Sequence, residues 1–102
     1  MIIYTYGKML EKAEEIRRKS PALLEANDWE AIRSLLTFDE EVWDGPAAES
    51  YRKLVEALYN GRDERAKEVV AEIPNLIEKD VQHMQEVDHR VAEMVRNNFQ
   101  TF

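Results

Sequence analysis

The chain of 102 residues has no cysteine, only three glycines and three prolines, and 9% aromatic residues. The missing cysteines exclude disulfides, thiolate zinc sites and a cysteine nucleophile. So few glycines and prolines exclude long flexible linkers. No apolar run approaches the roughly 20 residues of a membrane span. The opening MIIYTYGKML lacks the basic head and the length of a secretory signal, so export by the general secretory route is not expected. Positive charge is also scarce: 14 Lys and Arg stand against 21 Asp and Glu, a formal net charge of −7. Such a surface repels phosphate backbones and anionic membranes, so neither nucleic acid nor membrane insertion is expected. Serine occurs only as Ser20, Ser34 and Ser50, each in a helical or capping context, and no glycine-rich phosphate loop is present. No nucleophile, base and orienting group form a set. The expectation is a protein that is not an enzyme and carries no cofactor.

What is present is charged amphipathic helix. Hydrophobic residues make up 44% and charged residues 34%, which suits one all-α domain over 1–102. Met9, Leu10, Ala13 and Ile16 recur at helical spacing. Ser20 and Pro21 then offer an N-cap and a first-turn residue, predicting a kink or a restart. Asn27 or Asp28 caps a helix that turns Trp29, Ile32, Leu35 and Leu36 inward. The run TFDEEVWDGP has no period. Gly45 permits a tight turn there, and Pro46 opens a helix burying Ala47, Tyr51, Leu54, Val55 and Leu58. Gly61 is placed to close that helix and Asp63 to cap the next, which Pro74 should kink or break. Ile77, Met84 and Val91 form a sevenfold seam, with Val87 and Met94 between them. The only strand candidate, a weak one, is MIIYTY.

The stretch EVWDGPAAESY lies at the midpoint of the chain. Its simplest reading is the turn of a helical hairpin, with Trp43 at the turn and Tyr51, eight residues on, near the same side. Trp43-Asp44-Gly45 at the midpoint, the helix-opening PAAESY and the overall length together resemble the WXG family, the small helical substrates of type VII secretion systems. A second feature sits where that family often carries a Tyr-x-x-x-Asp/Glu export signal. Here MQEVD places Met84 at the tyrosine position and Asp88 at the acidic one. The resemblance implies a cytoplasmic protein exported folded, without a cleaved signal peptide, and dependent on a partner for the full signal. Trp43, Gly45 and Tyr51 would then form the turn and partner-binding motif, and Met84 and Asp88 a degenerate export signal.

The hairpin reading also implies a partner. Two helices alone leave one side of their seam wet, so a homodimer, or a heterodimer with a related small helical protein, would complete a four-helix bundle. Residues 46–98 as one helix would reach about 80 Å against about 50 Å for the first arm, so the second arm must overhang, fray or fold back. On this reading Trp43→Ala should impair partner binding and leave most helicity intact. The alternative is a compact monomeric four-helix bundle with kinked helices, acting as an acidic immunity protein, antitoxin or adaptor. Asp39, Glu40, Glu41 and Asp44 around Trp43 would then anchor a basic protein; the plainer reading of the same run is a helix N-terminal dipole cluster around a core tryptophan. Glu86-x-x-His89 has the spacing of a carboxylate-bridged di-iron site. At 100° per residue, however, the two lie about 200° and 140° from Met84, on the solvent side, so no metal is expected. His83 lies near the flank of the seam as a surface or interface histidine, and Asp80 and Asp88 fall at its edge, either as solvated rim charges or as charges that set register and orientation in a dimer.

Overall fold

A computed structural model describes residues 2–100. Four helices and a two-stranded ribbon follow in the order β1 (Ile3–Tyr4), α1 (Tyr6–Glu25), α2 (Trp29–Leu36), β2 (Trp43–Asp44), α3 (Pro46–Gly61) and α4 (Glu64–Gln100). The all-α character expected from the sequence holds. The four helices come from one chain and close one core.

Helix α1 buries Met9, Ala13, Ile16 and Ser20, a stripe at intervals of three and four, and leaves Leu10 at its edge. It passes through Pro21 without restarting, and Ser20 is a core residue rather than a cap. The helix ends where Asn27 takes the left-handed conformation, one of the few side chains that tolerates it. Asp28 then caps α2, its carboxylate accepting from the Ala31 N–H at 3.2 Å. All four expected α2 residues, Trp29, Ile32, Leu35 and Leu36, are buried. In α3 the inward residue of the first turn is Ala48, not Ala47, followed by Val55 and Leu58. The left-handed residue after α3 is Arg62, not Gly61. Its guanidinium lies over the Tyr59 ring at 4.3 Å and its Nε donates to the Tyr59 carbonyl, which offsets the backbone cost. Asp63 caps α4 as expected, accepting from the Ala66 N–H at 2.7 Å.

Helix α4 buries Ala66, Val70, Ile73, Ile77 and Val81. Pro74 lies inside it, wholly buried, and the helix continues. Helix α1 runs antiparallel along α4, with Arg17 on Asn75 and Glu78 at one level and Tyr6 on Asp88 at another. At 1.5 Å per residue α4 is about 55 Å long, and it sets the long axis of a molecule measuring 61 × 22 × 22 Å. Its distal third, beyond Asp88, projects past the start of α1. The overhang foreseen from the arm lengths is therefore present, on a helix that begins at Glu64.

Candidate partner-binding surface

The Trp43-x-Gly45 turn is built around a sealed indole. Trp43 is 4% exposed, a correction to its expected place at an uncovered hairpin turn. The cause is long-range. β1 pairs antiparallel with β2, Tyr4 opposite Trp43 and Ile3 opposite Asp44, and the Thr5 N–H donates to the Val42 carbonyl at 2.9 Å. That pairing lays Tyr4 against the indole at 6.2 Å between centroids, while Phe38 meets it edge-on at 5.3 Å and Tyr51 at 5.0 Å. The Tyr51 hydroxyl donates to the Leu36 carbonyl at 2.7 Å, and burial pushes its titration upward. So Trp43 and Tyr51 do share one side of the turn, as a core contact.

Gly45 has φ +117°, and a Cβ there would stand 3.3 Å from Ile2 Cγ1. The backbone angle favours glycine, and the approach of Ile2 leaves little room for a side chain. Asp44 accepts from the Gly45 N–H at 2.9 Å and from Arg52 Nη2 at 3.3 Å, and Arg52 also donates to the Trp43 carbonyl at 3.0 Å. The Gly45 N–H, and after it Arg52, hold the Asp44 carboxyl below its ordinary 3.8. The turn is thus fixed from its own backbone and from α3.

The second motif converges on the same place. Met84 is half-buried and lines, with Ile2, Tyr4, Asp44, Gly45, Pro46 and Ala47, a mostly apolar cleft of about 210 Å³. Asp88 accepts a hydrogen bond from the Tyr6 hydroxyl. Trp43, Gly45, Met84 and Asp88 are therefore linked through β1 and the first residue of α1. Sequence reasoning did not single out those linkers, Tyr4 and Tyr6. Their signal was the alternating IIYTY run, which identifies a strand but not its partner. Two further polar atoms are buried there without a hydrogen-bond partner: Trp43 Nε1 and Asp80 Oδ2. Both act on Tyr4, whose pKa is raised by burial first and then by Asp80, against an opposing effect of Trp43.

Tyr6 titrates at about 12 rather than 10.0, chiefly because its neutral hydroxyl donates to Asp88. The raised value belongs to the folded chain. The contact therefore contributes fully below pH 10 and is lost as pH rises through about 12. Asp88→Ala should return the Tyr6 transition toward 10 in an ultraviolet difference titration. An unchanged transition would show that the pair does not form in solution.

Beyond Asp88 the seam continues uncovered. Val87 is half-buried, and Val91, Met94 and Val95 are 53%, 64% and 48% exposed. They lie on the helix face that Ile77 and Val81 bury nearer the body of the bundle. His83 and Arg90 flank this stripe on one side and Asp88 on the other. Glu86 and His89 are exposed on the opposite side, where His89 pairs with Glu93 at 3.1 Å. Among the described residues no group of three or more His, Cys, Asp or Glu could hold a metal ion. No described helix is long and apolar enough to cross a membrane. Comparison with protein-family models, with characterised proteins and with solved structures gives no match.

Proposed function

We propose that this protein is a non-enzymatic interaction module that pairs a partner helix with the projecting last third of α4. In this reading it is a WXG-type substrate, or the dimer partner of one, for a type VII secretion system. It is cytoplasmic before export and leaves without a cleaved signal peptide. One observation carries the reading: an apolar stripe on α4 that the chain's own core ends too early to cover. Exposed apolar side chains in a contiguous row are more typical of an interface than of a free surface. The secretion role gains support from the shared location of the Trp43-x-Gly45 turn and residues 84–88. In this role Trp43 holds the turn from inside, and the surface offered to the partner is Met84, the cleft beside it and the stripe.

A second reading, an adaptor or immunity protein for a basic partner, is favoured by Asp39, Glu40 and Glu41, all exposed in the loop before β2. Two variants separate the readings. Val91→Glu/Met94→Glu places charges on the stripe. Asp39→Asn/Glu40→Gln/Glu41→Gln neutralises the loop. Neither touches the core, so both should keep wild-type helicity and stability to within about 0.5 kcal/mol. In crosslinking from living cells, the partner bound by the wild type should be lost with the stripe variant and retained with the loop variant. The reverse pattern would replace the first reading by the second.

A further inference from the structure

We infer that residues 2–5 form a lid that opens while the bundle stays folded, and that its opening uncovers Trp43 and lengthens the partner surface of α4. Gating of that surface rests on the reading of the stripe as a partner surface; the opening itself does not.

What the lid covers is continuous with the stripe. Asp80, Met84 and Asp88 follow one another at intervals of four along one row of α4. Each meets the start of the chain. Asp80 adjoins the Tyr4 hydroxyl, Met84 shares its cleft with Ile2 and Tyr4, and Asp88 accepts from the Tyr6 hydroxyl. The exposed Val91 and Val95 lie seven residues beyond Met84 and Asp88, on the same side of the helix. The stripe therefore stops where the lid begins. With the lid lifted, the open face runs about 12 Å further along α4, from Asp88 back to Asp80, and reaches the indole.

Little holds the lid down. The ribbon pairs only Ile3 with Asp44 and Tyr4 with Trp43, and so short a pairing is marginal by itself. Ile2 is exposed and Ile3, Tyr4 and Thr5 are half-buried. Closure therefore removes little apolar area from water while it orders the backbone of the segment. Beneath the lid Trp43 Nε1 and Asp80 Oδ2 are buried without a hydrogen-bond partner among the described residues. An unpaired buried donor or acceptor favours any conformation that returns it to water, and lifting Tyr4 does so for both at once. Against this stand the ring contacts of Tyr4 with Trp43 and Tyr6, the Thr5 N–H on the Val42 carbonyl, and the Tyr6 hydroxyl on Asp88 at the hinge. The packing of α1 on α4 does not enter this balance, so the lid opens without unfolding the domain.

Hydrogen exchange of the full chain, read by nuclear magnetic resonance, tests the opening with no partner present. The Trp43 indole N–H and the Thr5 amide should show closely similar protection, because one event exposes both. That protection should be at least about a hundredfold below that of the Val70, Ile73 and Ile77 amides. Tyr6→Phe removes the hinge contact without altering α4 and should lower protection at both sites several-fold. Asp80→Leu replaces the buried carboxylate by an apolar side chain and should raise it by about fivefold or more. In the crosslinking experiment the partner yield should rise with Tyr6→Phe and fall with Asp80→Leu. Protection at the two sites equal to that of the core amides would overturn the inference, as would two sites that exchange independently or ignore both substitutions. Equal crosslinking yields from the two variants would overturn the gating. Loss of the partner reading through the stripe and loop variants would leave the exchange result untouched, so the two failures are distinct.

Discussion

Trp43→Ala should lower the free energy of unfolding by about 3–5 kcal/mol, the cost of removing a large aromatic side chain from a packed core. For a chain of this size total stability is on the order of 5–15 kcal/mol, so the variant loses a large share of it. The melting temperature should fall by roughly 15–30 °C. The reason is the cage. Tyr4, Phe38 and Tyr51 all pack on the indole, and each comes from a different part of the chain. Removing the indole leaves three rings facing a cavity and loosens the pairing of β1 with β2. This reverses what a bare hairpin turn predicts, where the same substitution would spare helicity. Chemical or thermal denaturation followed by circular dichroism reads the difference. A shift of only a few degrees would mean that the indole contributes little to the core. Trp43→Phe should cost less than alanine, because it keeps most of the ring contacts and removes an N–H that has no hydrogen-bond partner among the described residues.

What was legible in the sequence was local chemistry. Asp28 and Asp63 cap helices because a carboxylate at that position satisfies N–H groups that nothing else can reach, and no distant residue alters that. The inward stripe of α2 and the seam of α4 were equally plain from spacing. Neither internal proline ends its helix. Each removes one helical hydrogen bond, but the long antiparallel contact of α1 with α4 keeps both helices continuous through them, and the buried Pro74 ring joins the core.

The state of Trp43 was not legible, because it depends on a strand at the opposite end of the first half of the chain. An indole in an acidic turn reads equally as an exposed anchor or a core residue until Tyr4 is placed over it. The same holds for Met84 and Asp88. Their spacing marked them, but only β1 and Tyr6 show that they adjoin the turn. The length of seam left uncovered was hidden for a related reason. Periodicity runs from Ile77 to Met94 without a break, and the boundary between core and surface is set by where α1 begins.

Amide hydrogen exchange along α4, in protein dilute enough to be monomeric, measures that boundary directly. Amides from Val70 to Val81 lie under α1 and open only with the whole domain. They should therefore be protected at least about a thousandfold more than those after Met84. Amides from Val87 to Asn97 belong to a helix extended from an anchored end. They need no nucleation but have no packing to hold them, so their protection should be small. A sharp step near Met84 is the expected result. Slow exchange continuing unchanged to Asn97 in the dilute monomer would mean that the chain covers its own stripe, and with it the case for a partner would fail.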